Sequence, residues 1–498
     1  MTLKIRKTML ASACVVALGG ATTSVQAANW TILQGTEGAG TAPRAKVWGF
    51  VDFQYQKDNS SANPYVGTKG NNYEYVAPKL IGPDLDSQSG FNVSRARIGV
   101  RGTGFPLDSN INYFVLAEMG NNGITHGDGS SVKLTDASIT LNHIKGARIR
   151  VGAFKTPTFE EGYQAIHVFD YINFTEVANQ MMLERYPNHK WTANRNNTAG
   201  FLYTNDNGAS PYNLFNQPVG AFRDVGIQVF DAFRNQDWEH TYAIMVGNGN
   251  GVNFADNDDN KDIHVYWSSE KIFGGSGPFR EGLKIFAWGE KGKRTLYNPA
   301  TPAANDSEPG GKQEYDRKRY GLGAKFVKGN WRATAEYLKG EGMIFLGPDN
   351  PTFTITAPPN NTADGGGGVG VAGVTEAVIS DQTAALLADG RNGKADGWYI
   401  EGGYKIPGTN WEVDARYDVY NRLTNAVKLA GPCAFEFQFK TITLGAQYHF
   451  NKKTRLQFNV ADRNFEAVDC PAPAPGGNPN NNLDGVDKRY AIQLRHVF

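Results

Sequence analysis

Arginine recurs at alternate positions in several short stretches of this 498-residue chain. SRARIGVR (94–101) carries Arg95, Arg97 and Arg101, RIRVGAFK (148–155) carries Arg148, Arg150 and Lys155, and the terminal KRYAIQLRHVF (488–498) carries Arg489 and Arg495. Arg455 and Arg463 hold equivalent positions in TRLQFNVADR (454–463). Carboxylates do so elsewhere: Glu336 in WRATAEYL (331–338), Glu401 in WYIEGGYKI (398–406), and Glu412, Asp414 and Asp418 in WEVDARYDVY (411–420). Guanidinium forks match carboxylate and phosphate oxygens, and arcs of like charge on a low-dielectric wall set ion preference. The chemistry on offer is electrostatic selection, not bond making. The eight histidines show no metal-ligand spacing and no Ser, His and acid set stands out, so no enzymatic activity, metal or cofactor is expected. DNDDNKD (256–262) opens in the manner of a calcium loop, but Lys261 replaces its glycine and Trp267 its terminal glutamate, which leaves an acidic loop. GGGGVG (365–370) lacks the lysine and strand of a phosphate loop and reads as a flexible segment.

Side chains at alternate positions share a face only on a strand. In each charged segment the other parity is apolar: Leu322, Ala324 and Phe326; Trp331, Ala333, Ala335 and Tyr337; Val413, Ala415, Tyr417 and Val419; Leu456, Phe458 and Val460. Sixteen such segments run from VWGFVDFQY (47–55) to the C-terminus, or eighteen if FLYTND (201–206) belongs to an extra hairpin. Several keep their alternation for about ten residues, the length of a tilted membrane crossing and longer than an ordinary sandwich strand. Short connections (HIKGA, RNQD, KGN, PGTN, NKK) alternate with long ones rich in Gly, Asn, Asp and Pro at 58–90, 156–222, 293–317, 344–395 and 468–486. Trp331, Trp398 and Trp411 stand at segment ends, where an interfacial girdle needs them. The pattern predicts an all-β chain, a transmembrane antiparallel barrel with short periplasmic turns and long external loops in a bacterial outer membrane.

Composition agrees. Aromatics reach 12% and glycines 58, yet no run of roughly 20 apolar residues follows the N-terminus, as a helical span would require. MTLKIRK, an apolar TMLASACVVALGG and Val25-Gln26-Ala27 together read as a signal peptide, residues 1–27, followed by a short periplasmic segment, 28–43, and the barrel, 44–498. Removing Lys4, Arg6 and Lys7 from 50 basic residues leaves 47 against 49 acidic ones, a balance that argues against a nucleic-acid partner. Cys433, 18 residues before Asn451, and Cys470, 17 after Lys453, reach the same external end of one hairpin and are expected to form a disulfide.

RIRVGAFKTPTFEEGY (148–163), SRARIGVRG (94–102), FRDVGIQVF (222–230) and the final Phe498 resemble the phosphate-selective porin O and P family of outer-membrane porins, over roughly residues 44–250 and the C-terminus. The resemblance implies a trimer, a constriction made by the third long loop, and recognition of Phe498 by the barrel-assembly machinery. At 67 residues, the loop 156–222 is long for a purely external one, and FTEVANQMMLERY (174–186) in it predicts a short helix capped by Thr175 that packs Val177, Met181 and Met182 on the wall or a partner. The expected eyelet sets Lys155, Arg148, Arg150, Arg95 and Arg97 against Glu160, Glu161 and Asp170; the other reading makes these acids solvated loop charges. The expected function is passive diffusion of small hydrophilic solutes or ions, with a lean towards anions such as phosphate. The rival is a barrel with a structural or adhesive surface role.

Overall fold

The computed structural model describes residues 29–33, 44–60, 89–104, 108–125, 132–184, 219–253, 256–275, 280–297, 312–344, 393–425, 436–467 and 486–498. Sixteen strands in antiparallel order form one closed barrel. The first eight are β1 (Lys46–Asp58), β2 (Ser89–Gly104), β3 (Asp108–Glu118), β4 (Lys133–Leu141), β5 (Arg148–Lys155), β6 (Arg223–Asn235), β7 (Trp238–Gly247) and β8 (Asp262–Gly274). The rest are β9 (Glu281–Tyr297), β10 (Lys312–Lys328), β11 (Trp331–Glu341), β12 (Lys394–Lys405), β13 (Trp411–Arg422), β14 (Phe437–His449), β15 (Thr454–Ala467) and β16 (Arg489–Val497). Every alternating segment of the sequence is a strand. These sixteen close the sheet without a further hairpin; the FLYTND stretch, Cys433 and Cys470 lie outside the described residues.

Closure follows from the pairing of β1 with β16, in register from Phe50 opposite Val497 to Asp58 opposite Arg489. Phe498 extends this seam: its N–H donates to the Gly49 carbonyl at 2.9 Å, and its ring lies where a side chain at position 49 would stand. With every strand paired on both sides, no row of backbone groups is left unsatisfied in hydrocarbon.

The two faces are inverted relative to a soluble protein. Val51 and Phe53, Ile244 and Val246, Val265 and Trp267, Leu322, Ile400, and Ile442 and Leu444 are exposed outwards, while Asp52, Gln54, Gln228, His264, Lys325, Glu336, Arg416 and Gln493 are buried on the inner face. Aromatic rings pair at the strand ends beside the short turns: Trp331 with Tyr404 at 4.3 Å, Trp411 with Tyr448 at 5.0 Å, and Tyr448 with Phe450 at 5.0 Å. Those turns can be tight; Gly329, with φ of +59°, joins β10 to β11 in two residues. An apolar outer band, an aromatic girdle and an even strand number make the chain an outer-membrane barrel.

One segment departs from expectation. Residues 29–33, expected in the periplasm, are tucked inside the barrel, where Trp30–Leu33 forms a single helical turn, α1, with Trp30 and Thr31 buried. Asn29 donates to Glu239 (2.8 Å) and Thr241 (2.7 Å) on β7, Arg150 donates to the Thr31 carbonyl (3.2 Å), and Tyr163 Oη donates to Thr31 Oγ1 (3.1 Å). Trp30 gains burial there that it would lack in open periplasm.

Candidate functional site

The chain leaves β5 at Lys155 and turns into the lumen. The neck of the loop is closed by the Thr156 N–H donating to the Phe222 carbonyl (3.0 Å), with Phe159 edge-on to Phe222 at 5.0 Å. Lys155 Nζ then donates to the carbonyls of Gly162 (2.8 Å) and Gln164 (2.5 Å), so this cation organises the descending loop. Glu160–Tyr163 forms a helical turn, α2, which points Glu160 and Glu161 at the far wall.

Glu160 is gripped from three sides. Its N–H donates to Glu336 of β11 (3.0 Å), and its carboxylate accepts from Lys284 of β9 (2.6 Å) and Lys325 of β10 (3.1 Å). Burial pushes this carboxyl up, but the two lysines outweigh burial and hold it down to about 2. Glu161 accepts from the N–H and hydroxyl of Thr175 (2.9 and 2.6 Å) and from Arg416 of β13 (3.1 Å). Here burial prevails over Arg416 and Thr175, and its pKa is raised.

Further along, Arg495 donates to the Ile166 carbonyl (2.8 Å), Arg455 to that of Phe169 (2.5 Å), and Asn459 accepts from the Ile172 N–H (2.7 Å). Asp170 accepts from Arg332 at 2.8 Å, while Arg332 also pairs with Glu412 and Asp414. Burial raises Asp170, but Arg332 and Arg455 leave it below its ordinary value. His167 stacks obliquely on Trp48 and Phe50, each at 5.6 Å, and burial with the nearby Arg495 and Arg455 lowers it to about 3.

The Thr175 hydroxyl caps the next turn by accepting from the Ala178 N–H (3.3 Å), and a π-turn, Ala178–Met182, follows. Its apolar side enters two notches in the wall: a Cβ on Gly397 would stand 2.7 Å from Val177, and one on Gly340 would stand 2.7 Å from Met181. Glu184 closes the described part of the loop, paired with Arg317, with Arg294 (3.3 Å) and with Arg319 (3.4 Å). Residues 156–184 therefore cross the lumen from β5 and are fastened to β9–β16, leaving only small water-sized gaps against β13–β16, β1–β3 and β10–β12.

The expected eyelet is not the one assembled. Arg95, Arg97, Arg101, Arg148, Arg150, Arg489 and Arg495 do point inwards, but each is engaged by the wall, the loop backbone or the N-terminal turn. Arg97 pairs with Glu118 (2.6 Å), Arg95 with Asp52 (3.6 Å), Arg148 with Asp231 (3.2 Å) and Arg489 with Asp58 (3.2 Å). Arg495 grips Asp52 with a fork of 2.6 and 2.7 Å, Arg101 approaches the Leu33 carbonyl (3.5 Å), and Arg150 lies between the rings of Phe154 and Phe230 at 5.1 and 4.7 Å. Glu160 and Glu161 face Lys284, Lys325 and Arg416 instead, because the loop reaches across the barrel before its helical turn ends. They are buried ion-paired anchors, not solvated loop charges. Lys284 was legible as the inward residue of LKIFAWGE (283–290); its pairing with Glu160 was not.

No family model and no curated protein matches this chain. Among solved structures it is similar to Salmonella typhi OmpF in complex with daunomycin, at 13% identity and a TM-score of 0.48, covering 91% of this chain and 97% of that one. In-vitro folded OmpT, an outer membrane protein of Vibrio cholerae, gives 10% identity and 0.44 over 91% and 97%. A refined porin structure gives 12% and 0.38 over 91% and 100%. At such scores the likeness carries no functional weight, and the barrel rests on its own strand pairing.

Proposed function

We propose that this protein is a porin, a water-filled channel through which small hydrophilic solutes and ions diffuse passively, selected at the constriction formed by residues 156–184. The observation that carries this reading is the inward loop itself, buttressed by ion pairs from Glu160, Glu161 and Glu184 to three wall strands, β9, β10 and β13, inside a polar barrel. A purely structural or adhesive barrel has no need for an inner loop fastened in this way.

The reading includes a modest preference for anions such as phosphate. Among the described residues, Lys155 and Arg150 make no ion pair within 4 Å; their donors meet carbonyl oxygens and aromatic faces, which supports a net basic character on this side of the lumen. The reading also includes self-association, to a trimer. The exposed tryptophans of the described strands, Trp238, Trp267, Trp331, Trp398 and Trp411, all lie on β7–β13, whereas the outward face of β2–β5 offers Val93, Ile98, Val115, Leu134, Ile139 and Val151, a surface suited to another copy better than to the membrane interface.

Purified protein in a planar bilayer tests the proposal. Ion conductance is expected, and a reversal potential in a potassium chloride gradient should show weak anion preference. A protein that inserts without conducting overturns the channel reading, and cation preference overturns the role given to Lys155 and Arg150.

A further inference from the structure

The gaps around the docked loop are water-sized, so a solute larger than water crosses there only if an element inside the lumen moves. Two described elements stand in the lumen outside the sheet, the loop 156–184 and the N-terminal turn α1. They are held by different forces. The loop is fastened by buried ion pairs from Glu160, Glu161 and Glu184, and releasing any of them strands charge on both partners.

The turn is uncharged throughout, Asn29, Trp30, Thr31, Ile32 and Leu33. It is folded on itself, the N–H groups of Ile32 and Leu33 both donating to the Asn29 carbonyl (3.1 and 3.0 Å). Asn29 reaches Glu239 and Thr241 of β7, Arg150 of β5 and Tyr163 of α2 donate to Thr31, and Arg101 of β2 approaches the Leu33 carbonyl. The turn thus bridges three wall strands to the helical turn that carries Glu160 and Glu161. Its departure strands no charge. Glu239 keeps Arg280 (2.8 Å) and Arg234 (3.2 Å), and Arg150 keeps the ring faces of Phe154 and Phe230.

The seat is also imperfect. Among the described residues, Trp30 Nε1, Arg150 Nε and Arg150 Nη1 make no hydrogen bond, although both side chains are buried. Water reaching the vacated seat would supply what they lack. Against release stands chiefly the burial of the Trp30 indole. Of the two luminal elements, the turn is the one that costs less to move.

We propose that residues 29–33 are a plug, a segment of this chain that rests in the lumen beside the constriction loop and leaves its seat to open a wide conducting path. The proposal rests on the channel reading and gives that channel a gate. The loop then stays docked while the pore switches.

The test is single-channel recording on the full-length protein in a planar bilayer, with the mass of the purified chain measured beside it. The parent is expected to retain residues 29–33 and to switch between a narrow and a wide level. Trp30→Ala removes the buried indole and should shift the balance towards the wide level about 150-fold. Asn29→Leu removes the bonds to Glu239 and Thr241 and should shift it about 30-fold. Both positions lie outside the sheet, so strand pairing is untouched. Trp411→Ala, on the outward face of β13, should leave the balance as in the parent. Equal occupancy of the wide level in the parent and both plug variants, the same shift in Trp411→Ala, or a purified chain that begins after Leu33 overturns the plug while leaving the channel reading intact. Absence of conductance overturns both.

Discussion

Glu160 is the point at which the constriction can be broken by one atom. Replacing it with glutamine keeps its volume and its N–H bond to Glu336 but removes the charge that Lys284 and Lys325 share, and those lysines are only 4% and 6% exposed. Removing one partner of a buried ion pair costs about 3–5 kcal/mol, mostly because the remaining charge is stranded. The lumen wall is partly hydrated, so the lower end applies, about 3 kcal/mol, which shifts the balance between docked and released loop about 150-fold. Single-channel recordings of Glu160→Gln should therefore show larger or noisier conductance than the parent. Adding Lys284→Met and Lys325→Met should restore quieter behaviour, because the stranded charges leave with the acid. The pH dependence has a defined sign. Because Glu160 titrates at about 2 in the fold, against 4.5 ordinarily, its contribution is complete above 4.5 and is lost as pH falls through about 2. A Glu160→Gln channel with parental conductance and noise, or one in which the lysine changes bring no recovery, would refute the anchoring argument.

Three further outcomes are expected. Gly340→Leu or Gly397→Val fills the notch that receives Met181 or Val177, an overpacking worth about 1–3 kcal/mol, and should displace the loop tip and raise conductance while the yield of folded barrel in outer-membrane fractions is unchanged. His167, lowered to about 3, is neutral in the docked loop; its contribution is complete above 6.5 and declines as pH falls towards 3, so acid-induced channel noise in that window should disappear in His167→Phe, which keeps the ring. Deleting Phe498 removes the last bond of the β1–β16 seam and the ring packed on Gly49, and should lower the yield of folded barrel in outer-membrane fractions.

Alternation made the barrel legible because lipid and water impose opposite demands on neighbouring residues wherever a strand crosses hydrocarbon. Where both faces meet water the signal stops. The sequence segments 283–290 and 320–327 are cores of strands running Glu281–Tyr297 and Lys312–Lys328, whose outer parts include KGKRT (291–295) and EYDRKR (314–319), in which charged residues occupy both parities, and which still pair in register. The N-terminal turn was missed for a related reason: four residues carry no period, and only the burial of Trp30 reveals which side of the wall they occupy.

The constriction was legible as a loop and not as a set of contacts, and the difference is geometric. Which acids lie on the loop follows from sequence, and so does the inward parity of Lys284, Lys325 and Arg416. Which of these meet depends on the barrel diameter and on how far the loop travels before it turns, quantities fixed only once all sixteen strands have closed. Glu160 meets Lys284 at a separation of 124 residues and Glu161 meets Arg416 at 255, whereas the arginines nearest in sequence, Arg148 and Arg150, are taken by Asp231 and by the N-terminal turn. Proximity in sequence favoured the wrong partners because a strand directs its inward side chains at the lumen immediately beside it, while the loop it emits is aimed at the wall opposite. An inward loop in a closed barrel should accordingly be matched first with inward charges about half the barrel away, and Lys284 to Arg416 on β9–β13 are where that rule leads from β5.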